Sequence, residues 1–78
     1  KIKYSDINWV NNTFYYLILK DLELKARIRY RQKLQDINVE KFEDFLYVKF
    51  KEFQSAITPG QFVAIYQKNQ LIASGVIL

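Results

Sequence analysis

The sequence predicts an all-β fold, a small antiparallel barrel. Short apolar or alternating segments follow one another along the 78 residues, turn residues separate them, and no stretch has the period of an amphipathic helix. Hydrophobic residues make up 50% of the chain and aromatic residues 17%, a composition typical of chains that fold. A closed barrel is favoured because closure removes the edges that such apolar strands would offer for aggregation. We expect one domain over residues 1–78.

The N-terminal part of the chain predicts two extended segments. Residues 2–10 alternate loosely between apolar and polar positions, which predicts one strand with a bulge near Ser5 and Asp6. The apolar run FYYLIL at residues 14–19 fits either a buried strand or a turn and a half of helix, because periodicity does not separate the two in so short a run. We favour the strand, since the run leads straight into the next extended segment.

The segment KARIRYRQKL at residues 25–34 predicts a strand with one charged face, and we place this strand at residues 22–33. Side chains of a strand alternate between its faces and advance about 6.6 Å per pair of residues. Five of the twelve basic residues therefore form one file opposite a mostly apolar file, whereas a helix would scatter them around its axis. These cations are Lys25, Arg27, Arg29, Arg31 and Lys33.

Two further strands are predicted at residues 37–42 and 46–50. The pair Gln35-Asp36 is expected to turn the chain into the first of them, and the pair Glu43-Asp44 is expected to form the turn between them. The second strand alternates cleanly between apolar and polar residues. Its inward positions are Leu46, Val48 and Phe50.

The phrase TPGQ at residues 58–61 predicts a type II turn. Proline presets φ at the second position of such a turn, and glycine accommodates the positive φ at the third. The polar residue that closes the phrase is also common at such positions simply as a solvated side chain. Residues 62–66 and 71–77 then predict a hairpin, in which Gly75 marks a bulge or a close approach of two backbones.

The charge of the chain favours a polyanion as the partner. Twelve Lys and Arg stand against eight Asp and Glu, for a formal net charge of +4, and much of it is concentrated in the basic strand. Nucleic acid fits such a surface, because each phosphate contact releases condensed counterions. Tyr30 lies between two arginines, where an RNA base could stack, although its place in the alternation is on the apolar side. Alternatively, Asp36 and Glu40 neutralise part of the file as cross-strand pairs.

The chain contains no Cys and no His, which excludes disulfides, thiolate nucleophiles, imidazole bases and the usual zinc sites. We therefore expect no catalytic residue, no metal site and no cofactor in this chain. No apolar run is long enough for a membrane span and no signal peptide is visible, so the expected location is the cytoplasm. The absence of Met, with a chain that opens directly on a strand, predicts a domain cut from a longer protein.

Several short sequence motifs, in their order and spacing, resemble those of the C-terminal domain of the tRNA-specific 2-thiouridylases over nearly the whole chain. RYRQ and TPGQ together are far more specific than either alone. The phrase NWV at residues 8–10 also resembles the opening of that domain. The other matching phrases are RYRQ at 29–32, Phe50, AITPGQ at 56–61, AIY at 64–66 and GVI at 75–77.

The resemblance implies a six-stranded β-barrel similar to the second domain of translation elongation factors, which helps to hold tRNA. It implies a parent sulfurtransferase whose other domains use ATP and cysteines to thiolate the wobble uridine. The implied partners are tRNA and those remaining domains, with no membrane and no DNA. The implied tRNA contacts are Arg29 and Tyr30 of RYRQ and Gln61 of TPGQ, with Arg27 and Arg31 among the supporting charges.

Two departures from the family pattern bear on backbone shape. Phe53 stands where the family often has proline, and residues 73–75 read ASG where the family often has three glycines. A different class of function also remains open, a barrel that serves as a packing or protein-interaction module. In that case the basic strand is paired internally or against an acidic partner, and the chain has no affinity of its own for RNA.

Overall fold

The computed structural model describes residues 1–10, 23–28, 33–52 and 57–78. The strands of these residues are β1 Ile2–Lys3, β2 Asn8–Trp9, β3 Leu24–Arg27, β4 Gln35–Phe42, β5 Phe45–Phe50, β6 Phe62–Gln67 and β7 Gln70–Val76. They form one antiparallel sheet with the order β1-β5-β4-β3-β6-β7-β2, and the all-β prediction is confirmed. The described ranges include no helix that is long and apolar enough to cross a bilayer.

The sheet curls into a half-barrel in which β1 pairs with β5 and also contacts β7. The backbone N–H of Leu78 donates to the carbonyl of Lys1 at 2.9 Å, so the two ends of the chain meet at this point. A Cβ atom on Gly75 would stand 2.6 Å from Cγ2 of Ile2. The close contact at Gly75 is thus with the side chain of Ile2, and a residue with a Cβ atom fits there only if Ile2 shifts.

A bulge does occur in β7, but it lies at Ile72. The register passes from Ile65 opposite Ala73 to Tyr66 opposite Leu71, which leaves Ile72 as an extra residue. Ile72 and Ala73 are consecutive in β7 and both are buried, whereas consecutive side chains of a regular strand point to opposite faces. The bulge thus directs one more isoleucine into the core.

The core inside the curl is aliphatic. Along β6 the buried positions alternate with more exposed ones, as expected for a strand with one face toward a core. On β5 Leu46 is buried, and Val48 and Phe50 pack half-buried against the core, as predicted. Tyr4, Trp9 and Phe50 are half-buried and pack around the aliphatic cluster. The buried residues are Ile2, Ile7, Leu24, Ala26, Ile37, Leu46, Val63, Ile65, Ile72, Ala73 and Ile77.

The prediction of one strand over residues 2–10 is wrong. A 3₁₀ turn at Tyr4–Asp6 divides the segment into β1 and β2. Ile2 and Ile7 are both buried, yet residues five apart lie on opposite faces of a regular strand, so the turn is what brings both into the core. The N-terminal segment thereby supplies two short strands, and the described part of the sheet has seven strands where six were expected.

The turn predicted at Gln35-Asp36 is also wrong, because these residues begin β4 and pair with β3. The expected turn at Glu43-Asp44 is confirmed, with Glu43 at a φ of 54°. Only part of the predicted basic strand is seen as β3. Residues 29–32, together with the apolar run at 14–19, lie outside the described residues.

Candidate nucleic-acid interface

Strand β3 directs its cations outward. Leu24 and Ala26 are buried, while Lys25 and Arg27 are half-exposed on the opposite face, so the predicted alternation holds along this strand. Lys33 is exposed just before β4 begins. Three predicted contact residues of the RYRQ phrase lie outside the described residues: Arg29, Tyr30 and Arg31.

Lys25 is partly neutralised by Asp36. The two residues face each other across β3 and β4, and their charged atoms are 3.4 Å apart. Both side chains are about half-exposed to water, so we expect the pair to contribute less than about 1 kcal/mol to stability. Glu40, the other acid expected to neutralise the file, instead bonds to Lys49 on β5 at 3.3 Å.

Arg27 is held on the outer face by Tyr66 of β6. Its Nη2 donates to the Tyr66 hydroxyl at 2.9 Å, and its Cζ lies 5.2 Å from the centroid of the Tyr66 ring. The register explains the contact, because Arg27 stands opposite Ala64 and is therefore diagonal to Tyr66, within reach of a long side chain. The contact orients the guanidinium toward the outer surface of the sheet.

The predicted turn at residues 58–61 is present, and a hydrogen bond from the Thr58 backbone to the Gln61 side chain stabilises it. Gly60 has a φ of 94°, which supplies the positive φ that the phrase requires. The Gln61 side-chain oxygen accepts the Thr58 N–H at 3.0 Å. The turn is also tied to the end of the chain, since the Gly60 N–H donates to the Ile77 carbonyl at 2.8 Å and the Ile77 N–H donates to the Gln61 carbonyl at 2.7 Å. The N–H groups of the Gln61 side-chain amide can donate hydrogen bonds to a ligand.

Arg27 and Gln61 lie close along the sheet but on different sides of it. Ala64, which faces Arg27, is three residues from Gln61, a distance of about 10 Å along a strand. Gln61 has the same parity as the buried Val63 and Ile65, so its side chain starts from the inner side at the rim. Arg27 points outward from the sheet. One ligand can therefore contact both Arg27 and Gln61 only if it extends around the rim of the sheet.

Tyr66 is a residue of this surface that the sequence analysis missed. The alternation of β6 predicts that Tyr66 points outward, but it does not predict the contact with Arg27. These two residues are 39 positions apart in the sequence. Cross-strand neighbours depend on the register of pairing, which a single sequence does not fix over such a separation.

Comparisons with known proteins place the chain in a family. The profile of the aminomethyltransferase beta-barrel domain family matches residues 1–77. A protein of Flavobacterium johnsoniae is 48% identical over 73 residues, which are 94% of this chain and 18% of the relative. A protein of Christiangramia forsetii is 45% identical over 76 residues, 97% of this chain and 19% of the relative. A third, of Oceanobacillus iheyensis, is 40% identical over 74 residues, 94% of this chain and 19% of the relative.

All three relatives carry the name tRNA-specific 2-thiouridylase MnmA. The chain spans about a fifth of the length of these curated relatives. No solved structure matches the chain significantly. Since the family profile covers nearly every residue, the chain belongs to the aminomethyltransferase beta-barrel domain family and corresponds to the C-terminal domain of the tRNA-specific 2-thiouridylases.

Proposed function

We propose that this chain is a tRNA-binding domain of an ATP-dependent 2-thiouridylase of the cytoplasm. It holds tRNA while the other domains of the parent enzyme thiolate the wobble uridine. The observation that carries the proposal is the outward file of β3, which presents Lys25 and Arg27 on one face in a family of tRNA-modifying enzymes. The chain contributes binding, and the chemistry belongs to the rest of the parent.

The proposed contacts divide into charge and shape. Arg27 meets a phosphate from the outer face, and Arg29 and Arg31 add further phosphate contacts. Tyr30 lies against a base or a sugar, as aromatic side chains do in many RNA complexes. Gln61 donates from its amide nitrogen at the rim, while its oxygen remains bonded to the turn.

A second function, a packing or protein-interaction module, is favoured by one specific observation. Lys25 is already paired with Asp36, so part of the basic file is satisfied within the sheet. Because this pairing neutralises part of the positive charge, the basic strand attracts an external polyanion less strongly. This function predicts that the 78-residue chain has no affinity for free tRNA even at low salt.

Fluorescence anisotropy of labelled tRNA, titrated with the chain at low and moderate salt, tests the proposal. The test variant combines Arg29→Ala with Gln61→Glu, because a glutamate oxygen still accepts the Thr58 N–H while the amide donors are lost. The control is Lys49→Glu on β5, which lowers the net charge by two, as the double variant does. We expect binding that weakens with salt, is largely lost in the double variant and is close to wild type in the control. Equal loss in both would leave only nonspecific attraction.

A further inference from the structure

The outer face of four neighbouring strands carries a row of facing residues that runs across the sheet. Arg27 of β3 faces Ala64 of β6, Ala64 faces Ser74 of β7, and Ser74 faces Asn8 of β2. Neighbouring strands are about 4.8 Å apart, so the row is about 14 Å long. Its two ends carry a guanidinium and an amide, and its middle carries only a methyl group and a hydroxyl.

Larger side chains stand on both sides of this row. On one side Phe62 faces Val76, and these side chains are 59% and 40% exposed. On the other side Tyr66 faces Leu71. Because positions two apart in a strand are about 6.6 Å apart on the same face, the small residues form the floor of a shallow depression between two walls. We call the row and its two walls the outer trough.

We propose that the outer trough receives a single unpaired RNA base, a proposal that rests on the tRNA-binding function above. The base stacks on the exposed ring of Phe62, and its edge bonds to the Ser74 hydroxyl and the Asn8 amide. The attached phosphate lies toward Arg27, whose guanidinium the Tyr66 hydroxyl orients. RNA-binding sheets use the same combination of an aromatic platform, short polar side chains and a flanking cation.

The composition of the trough favours a base over an apolar protein segment. An exposed phenyl ring suits both ligands, but a protein anchor is usually buried among further apolar side chains. Here the floor beside Phe62 is made of Ala64 and Ser74, and the row ends in Arg27 and Asn8. A flat base with polar edge atoms and an attached phosphate is complementary to these side chains. The net charge of +4 adds to the attraction for the phosphate.

The test compares Phe62→Leu with the same change at Phe42. Phe42 is a matched control, because its side chain is also 59% exposed and it lies at the end of β4 beside the Glu43-Asp44 turn. Both variants keep an apolar residue and the net charge. With labelled tRNA at low salt, we expect Phe62→Leu to weaken binding by about 5- to 160-fold, the range of one aromatic–base stack. Phe42→Leu should bind as wild type does.

Two further variants separate stacking from a structural effect. Phe62→Trp should recover the affinity that Phe62→Leu loses, because an indole presents a larger stacking face. Ser74→Leu fills the floor without altering charge, so the affinity should fall while the salt dependence stays the same. Far-UV circular dichroism and thermal melting establish that each variant is folded before it is titrated.

The outcomes distinguish this inference from the function on which it rests. If the wild-type chain does not bind tRNA at low salt, both proposals fail. If it binds, and the leucine variants at positions 62 and 42 bind equally well, the trough is not an RNA site while the tRNA-binding function stands. The exposed Phe62–Val76 pair would then belong to a protein contact. Equal loss of binding in Phe62→Leu and Phe62→Trp would also overturn stacking.

Discussion

At the scale of single residues, Gly75 is fixed by the closure of the sheet. A methyl group at this position would stand 2.6 Å from Cγ2 of Ile2, a side chain that is itself buried. Because the methyl group has no open space to enter, we expect Gly75→Ala to lower the free energy of unfolding by about 1–3 kcal/mol. Urea denaturation followed by circular dichroism measures this change.

A double-mutant cycle checks that the clash with Ile2 is the cause. Ile2→Ala removes the atoms that the new methyl group would meet, so the double variant should be more stable than the sum of the single effects predicts. Gly60→Ala is the control, because no atom lies within 4 Å of its Cβ position and its cost comes from its φ of 94°. Strict additivity of the Gly75 and Ile2 changes would contradict the explanation.

Gln61 stabilises the turn at residues 58–61, and this structural role must be distinguished from its proposed contact with RNA. Its side-chain oxygen accepts the Thr58 N–H, and this bond is lost in Gln61→Ala but retained in Gln61→Glu. We expect the alanine variant to lose about 0.5–1.5 kcal/mol of stability and the glutamate variant to lose less. Thermal melting should therefore show a lower Tm for Gln61→Ala than for Gln61→Glu. The reverse order would show that the turn bond contributes nothing.

At the scale of elements, the sequence predicted those strands whose pattern is local. The inward residues of β5 and the TPGQ turn each depend on a few adjacent residues, and both are found where expected. The 3₁₀ turn at Tyr4–Asp6 was missed because the burial of both Ile2 and Ile7 depends on β5 and β7, which are distant in sequence. The start of β4 was missed because pairing with β3 extends the strand through polar residues that alone suggest a turn.

The pair formed by β3 and β4 leads to a prediction about charge. Asp36→Asn removes the partner of Lys25 and leaves that cation on the outer face. We expect tighter tRNA binding and a steeper salt dependence, by up to about one phosphate contact, because an unpaired lysine is a better counterion for RNA. Stability should change by less than about 1 kcal/mol, since the pair is exposed. Anisotropy titrations at several salt concentrations measure the affinity and the slope.

Glu40→Gln is the matched control for that experiment. It raises the net charge by the same amount and releases Lys49, but it acts four residues further along β4, about 13 Å from Asp36. Its effect on tRNA binding should be smaller than that of Asp36→Asn. Equal effects would mean that net charge alone governs binding and that the face of β3 has no special part in it.

At the scale of the whole molecule, the sequence indicated the family and the basic strand but not the surface that surrounds it. RYRQ and TPGQ carried the resemblance, and the family profile confirms it over residues 1–77. The row from Arg27 to Asn8 was not predictable, because it joins strands from both ends and the middle of the chain. Such a row depends on long-range register and on the bulge at Ile72, neither of which a local pattern encodes.

The proposed binding of tRNA to the outer face of β3 is tested by the salt dependence of the affinity. The measurement is the log–log slope of affinity against salt for the wild-type chain, Arg27→Gln and Arg27→Lys, with Lys49→Gln as the control on β5. We predict that Arg27→Gln lowers the slope by roughly 0.7–0.9, the contribution of one phosphate, and that Arg27→Lys recovers it. Absence of binding at low salt, or a slope that Arg27→Gln and Lys49→Gln change equally, would contradict the claim.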